Sequence, residues 1–106
     1  MARARIVMAK SARRGEVVEI KTLVPHAMES GFRRDAVGKP VPRHIITSLA
    51  VTYAGAEVFR MEMFPAIAAN PYVMFATVAT ETADVVFTWT DDRGGVMRET
   101  RRLEVT

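Results

Sequence analysis

"HIITSLAVTYAGAEVFRMEMF", residues 44–64, decides the fold. In its first half Ile45, Thr47, Leu49, Val51 and Tyr53 fall on one side of a period of two, the spacing of a strand with one buried face. β-branched and aromatic residues are frequent in it, as a pleated surface favours. "YAGAE" then supplies a glycine-centred turn, and alternation resumes through Phe59, Met61 and Met63. The stretch reads as a β-hairpin.

The same rhythm runs outward in both directions. In "EVVEIKTLV", residues 16–24, Val18, Ile20, Thr22 and Val24 alternate with Val17, Glu19, Lys21 and Leu23. "YVMFATVA" and "DVVFTWT" are two more apolar strands, the second presenting Val85, Phe87 and Trp89 on one face, which makes Trp89 a core residue. "DDRGG", residues 91–95, is a tight-turn signal. The following "VMRETRRLEV" carries Arg98, Arg101 and Arg102 and suits an edge strand guarded by charge. "PAIAANP" is either a crossover loop or a single helical turn. With "ARIVMA" at the start the chain has seven strands and no helix-period segment of about ten residues. Seven short antiparallel strands in roughly 100 residues match an immunoglobulin-like β-sandwich. A small closed barrel is the alternative.

Length and composition suit one domain over residues 1–106 with a single core. No apolar run reaches the roughly 18 residues of a membrane span. The chain has no cysteine, so a thiolate metal site, a disulfide framework and a thiol nucleophile are all excluded. A net charge of +3 favours acidic partners or small anions without choosing between them. Nucleic-acid binding would call for a dense basic stripe with interleaved aromatics, and none is present. Arg13-Arg14 sits in a basic N-terminal region, but Glu16, Glu19 and Lys21 interrupt the apolar stretch an export signal needs. A strand, a basic turn and another strand are expected there.

Between Pro25 and Pro42 the alternation stops. Loops of this length inside compact domains are usually functional or disordered, and "VPHAMESGFRRD", residues 24–35, is the chemically richest part of this one. His26, His44 and Met28 or Met61 are the candidate ligands for a Cu(I) site; a blue-copper site would need a thiolate, and methionines also fill core gaps. Ser11, Ser30 and Ser48 lack a nucleophile-elbow pattern. Asp91 and Asp92 are adjacent, so their side chains point apart rather than cooperating as acid and base. Catalysis by this chain alone is not expected, and no cofactor is. An anion site could use Arg33 and Arg34 with Lys39 or Arg43, against the simpler reading of a solvated basic loop balanced by Glu29 and Asp35. Protein contact accounts for more features at once, because Met28, Phe32 and the arginines carry the residue bias of interface cores. Phe64, Ile67, Tyr72 and Met74 offer a second apolar surface that is either core or contact.

"KSARRGEVVEIKTLVPHAMESGFRRDAVGKPVPRHII", residues 10–46, resembles the N-terminal half of the SoxZ family. The matching elements are the Gly15-Glu16 turn, the "IKTL" strand, the H-x-M-E-x-G-x-R-x-D pattern from His26 to Asp35, and "GKPVPRHII" from Gly38 to Ile46. Later, "ANPYVMF" and "FTWTDDRGG" match at the right separation. The resemblance covers nearly the whole chain, with Ala27 standing where proline is common. It implies an immunoglobulin-like sandwich that forms a heterodimer with SoxY, whose arm cysteine carries covalent sulfur intermediates during thiosulfate oxidation to sulfate. Pathway enzymes would dock on the pair transiently. It also implies a periplasmic location reached by co-export with a signal-bearing partner; related carriers act outside thiosulfate oxidation. The contact candidates are His26, Met28, Phe32, Arg33, Arg34 and Arg43. A vacated apolar partner face would favour homodimers of the isolated chain.

Overall fold

Alternation becomes eight strands in the computed structural model, which describes residues 2–106. They are β1 (Arg5–Val7), β2 (Ser11–Ala12), β3 (Val17–Leu23), β4 (Ile46–Tyr53), β5 (Ala56–Glu62), β6 (Tyr72–Val78), β7 (Ala83–Asp91) and β8 (Val96–Val105). One sheet has the order β1-β3-β6 and the other β2-β8-β7-β4-β5. Two facing sheets with crossing connections make the expected immunoglobulin-like sandwich.

The eighth strand is β2, only two residues long, and it pairs parallel to β8 through Ser11↔Glu104 and Ala12↔Val105. The sandwich is therefore not wholly antiparallel. A two-residue strand is too short to alternate, so it leaves no period in the sequence. Arg13-Arg14 lies in the expected turn before β3, where the Arg13 amide donates to Glu16 Oε2 at 3.1 Å.

Val18, Ile20 and Thr22 on β3 face Leu49 and Val51 on β4 and Val85, Phe87 and Trp89 on β7 across a dry interior. Thr22 is the buried exception to an apolar core, and its hydroxyl is satisfied by donating to the Val73 carbonyl at 3.0 Å. Four aromatic rings form a ladder through this core. Phe59 stacks on Phe75 at 4.4 Å, Phe75 lies 6.4 Å from Phe87, and Phe87 lies 6.0 Å from Trp89. The ladder ties the edge strands β5 and β6 to the centre of the larger sheet.

The opening hairpin is β4-β5, with Ala54 and Gly55 both at positive φ, 51° and 81°. Such a two-residue loop matches the twist of the flanking strands. The expected odd-numbered buried set of β4 holds from Leu49 to Tyr53 but fails before it. A register shift against β7 between Ile46 and Ser48 lets Ile45 and Ile46 both bury while Thr47 stays half-exposed. The Tyr53 hydroxyl accepts from the Thr80 and Glu81 amides at 3.2 and 3.0 Å and donates to the Glu81 carbonyl, which fixes the β6-β7 connection. "PAIAANP" is the crossover from β5 to β6 in the other sheet, and it opens with a turn closed by the Ile67 amide on the Phe64 carbonyl at 3.0 Å.

Candidate partner-contact site

Residues 25–45 do not form an open loop; they fold back on themselves as a narrow finger. Glu29 and His44 exchange two backbone hydrogen bonds, 2.9 and 2.8 Å, and Arg34 bridges Pro40 nearer the tip. At the tip Asp35 Oδ1 accepts the amides of Val37 and Lys39, both at 3.0 Å, the local carboxylate cap expected of a turn aspartate. The two arms run close together at Gly31, where a Cβ would stand 3.2 Å from Arg43 Cβ and where φ is +91°. The positive φ favours glycine, and the close approach leaves little room for a side chain. The molecule is correspondingly long, 58 × 20 × 19 Å.

Several long-range bonds hold the base of the finger. The His26 amide donates to Asn70 Oδ1 at 3.0 Å, and the Asn70 amide donates to the His26 carbonyl at 2.7 Å. Met28, at a φ of 52° that is uncommon outside glycine, turns its side chain into the core. There its sulfur accepts the Ile46 amide at 3.2 Å, beside the register shift in β4. Asp92 accepts the Ile45 amide at 3.1 Å and Arg43 Nε at 3.2 Å. Asp91 accepts the Arg93 and Gly95 amides through Oδ1, at 2.9 and 2.7 Å, and its Oδ2 lies 3.3 Å from His44 Nε2.

The contact candidates separate accordingly. Phe32 is 87% exposed and stands on the finger with Arg33 and Arg34. Arg33 binds Glu29 at 2.6 Å, and this bond holds the Glu29 carboxyl below its ordinary range. Arg34 donates to the Gly38 carbonyl at 2.9 Å. Met28, by contrast, anchors the finger from inside and offers no surface. His26 is half-buried at the base, and Arg43 is exposed there beside Asp92.

Neither small-ligand reading gains a built site. The arginines of the anion reading are each engaged locally, Arg33 by Glu29, Arg34 by the Gly38 carbonyl and Arg43 by Asp92. His26 Nδ1 accepts the Met28 amide at 2.9 Å, while the Met28 sulfur faces Ile46. Met61 lies on β5 opposite Leu49. Among the described residues, His44, Asp91 and Asp92 bring ligand atoms within 4.8 Å of one another. Their carboxylates, however, already accept three backbone amides and Arg43. Asp91 and Asp92 are the residues whose structural role sequence reasoning missed. "DDRGG" announces the turn, but its proximity to the finger, 47 residues away at His44, depends on β4-β7 pairing.

With Nδ1 of the His26 ring engaged as acceptor, the other ring nitrogen, Nε2, is buried without a hydrogen-bond partner among the described residues. The His44 ring stands edge-on 4.8 Å away. Burial, and then His44, lower the His26 pKa from 6.5. A depressed folded-state value means that the unfolded chain takes the proton first, so stability falls as the pH drops below 6.5 toward the folded value. Protonating Nδ1 also breaks its bond to Met28. In denaturant titrations the wild type should lose stability as the pH falls through 6.5 and below. His26→Asn, which can still accept the Met28 amide, should flatten that slope; an unchanged slope would show that His26 does not set it.

Several solved structures share the fold. A putative superoxide reductase from Thermotoga maritima matches with a TM-score of 0.76 at 15% identity over 97% of this chain and 85% of its own. A variant of the superoxide reductase (neelaredoxin) from Ignicoccus hospitalis has a TM-score of 0.72 at 14% identity, over 97% and 79%. The sulfur carrier protein SoxY from Chlorobium limicola f thiosulfatophilum has a TM-score of 0.69 at 15% identity, over 97% and 79% of the two chains. At such identities these likenesses show the fold alone. Among curated proteins no sequence is similar enough to match. The sequence pattern of the family described as "Sulphur oxidation protein SoxZ" matches residues 5–102, from β1 to β8, and the chain belongs to the SoxZ family.

Proposed function

We propose that this chain is a non-catalytic subunit that pairs with a SoxY-type protein, whose cysteine carries the sulfur intermediates of thiosulfate oxidation. The observation that carries this reading is the family match over residues 5–102. The chain's lack of cysteine supports it, because a covalent sulfur cargo must then reside on the partner. A rigid sandwich is a suitable base for a flexible carrier arm, and a finger presenting Phe32, Arg33 and Arg34 is a suitable contact for enzymes that dock and leave. The compartment follows from the same reading: a pair exported together through a signal on the partner works in the periplasm.

Co-expression with a SoxY-type partner tests the pairing, and a stable one-to-one complex is the expected product. A chain that stays alone at micromolar concentrations of both would overturn it, as would stoichiometric metal in the purified protein combined with no partner binding. The finger is tested separately. Combined Phe32→Ser, Arg33→Ala and Arg34→Ala should lower partner affinity or thiosulfate-dependent turnover of the reconstituted system about tenfold, given that exposed aromatic and arginine anchors dominate interfaces. Unchanged affinity and turnover would remove the finger from the contact surface.

A further inference from the structure

The free edges of the two sheets are not alike. β5 carries Glu57, Arg60 and Glu62, and β8, paired to β2 only at Glu104 and Val105, carries Arg98, Glu99, Arg101 and Arg102 along the rest of its open side. β1 is three residues long and begins with Arg5. Charge and shortness are the usual devices that keep an edge from recruiting another strand. β6 has neither. Its sequence, Tyr-Val-Met-Phe-Ala-Thr-Val, contains no charge, no proline and no glycine, and its seven residues pair with β3 in unbroken register.

The backbone phase shows what this edge offers. The Ala79 amide donates to the Glu16 carbonyl and the Val24 amide to the Pro71 carbonyl, so the odd-numbered residues of this stretch point their backbone groups at β3. In an antiparallel ladder the alternate residues point theirs away. The N–H and C=O groups of Met74, Ala76 and Val78 therefore line the open side, and no strand among the described residues covers them. The side chains of the same set lie on the outer face of the sheet, with Tyr72, Met74 and Val78 exposed by 56%, 54% and 47%. Val17, on the neighbouring strand, continues that apolar surface.

We infer that the open edge of β6 is the seat of the partner subunit, and that an uncharged edge strand of the partner's sandwich adds antiparallel to Tyr72–Val78. This rests on the pairing proposed above. The occupant is named by the chemistry: a row of unsatisfied backbone donors and acceptors beside an apolar, charge-free face recognises another strand of the same kind. A SoxY sandwich overlays 97% of this chain, so it has a strand in the corresponding place. Two like folds meeting through corresponding edges form a pseudo-two-fold pair, in which equivalent strands run antiparallel. The three-stranded sheet of this chain then continues into the partner's sheet.

The test uses the full chain and a co-purified SoxY-type partner. Ala76→Pro removes an N–H that faces outward and not toward β3, a position where an edge strand tolerates proline. It should leave the circular dichroism of the isolated chain unchanged and weaken partner binding at least about a hundredfold. Met74→Lys adds an edge charge without touching the backbone and should weaken binding about tenfold. Amide hydrogen exchange supplies a readout that needs no variant. Met74, Ala76 and Val78 should become protected on complex formation, whereas Val73, Phe75 and Thr77 are protected already. If the wild type binds the partner while both variants bind within about twofold of it, or the three amides gain no protection, the inference fails and the pairing stands. If the wild type does not bind at all, the pairing itself fails. Equal protection of the three amides in the isolated chain at high concentration would assign the edge to a second copy and overturn the choice of occupant.

Discussion

Phe87→Ala should lower the stability of the domain by about 4 kcal/mol, the range for truncating a fully buried phenylalanine to alanine. Phe87 is wholly enclosed and is the middle ring of the ladder, 6.4 Å from Phe75 and 6.0 Å from Trp89. Its loss leaves a cavity between the sheets and removes two aromatic contacts, each worth about 1 kcal/mol beyond simple burial. Phe87→Leu refills most of the volume but restores neither contact, and should cost about 1 to 2 kcal/mol. Urea unfolding of both variants measures this. Equal losses would mean that the rings contribute as rings and not as volume; a loss under about 1 kcal/mol for alanine would mean that the sandwich closes over the gap. Because Phe75 sits on β6, the alanine variant should also speed amide exchange at Val73 and Phe75 before it does so at β8.

Where one face of a strand is dry and the other wet, the sequence carries the fold openly. β3 is the plainest case: Val18, Ile20 and Thr22 are buried, and Glu19 and Lys21 are exposed. The same alternation marks β7 through Val85, Phe87 and Trp89, and glycine and aspartate mark the hairpin turns. Legibility ends where alternation breaks. Ile45 and Ile46 are both buried because a shift against β7 reorients one of them, and no local composition announces such a shift. β2 is invisible because pairing with Glu104 and Val105, far along the chain, is what makes it a strand.

The candidate site was legible in content but not in shape. His26, Phe32, Arg33 and Arg34 stand out by residue type in the segment after Pro25, yet a segment rich in glycine, proline and arginine reads as loop. Its order comes from bonds that cross the chain: Asn70 on His26, Asp92 on Ile45 and Arg43, and Asp91 beside His44. Met28 illustrates the ambiguity best. A methionine beside a phenylalanine and two arginines has the composition of an interface, but the backbone turns it inward. The open edge of β6 reverses the case, since its lack of charge is plain in the sequence while its being an edge depends on sheet order.

Asp91→Ala should cost about 3 kcal/mol and loosen the finger, because removing a charged acceptor strands the donors it served in the β7-β8 turn. The Asp91 side chain is only 8% exposed and serves three partners: the Arg93 amide, the Gly95 amide and His44 Nε2. Hydrogen bonds to a charged acceptor contribute about 1.5 to 3 kcal/mol each. Space there is tight, since a Cβ on Gly95 would collide with Asp91 Oδ2, so Gly95→Ala should displace the same carboxylate. Burial alone would raise the Asp91 pKa, but the Gly95 and Arg93 amides and His44 outweigh it and hold the value below 3.8. The sign follows from that: this contribution is complete above pH 3.8 and is lost as the pH falls further, well below the region where His26 acts. Asp91→Asn separates acceptor from charge, because its amide oxygen can still take both backbone donors; it should cost only about 1 kcal/mol. In exchange experiments the alanine variant should expose the Arg93, Gly95, Glu29 and His44 amides while β3 and β6 keep their protection. If all strands open together, Asp91 supports the sandwich as a whole, and the picture of a finger fastened separately at its base is wrong.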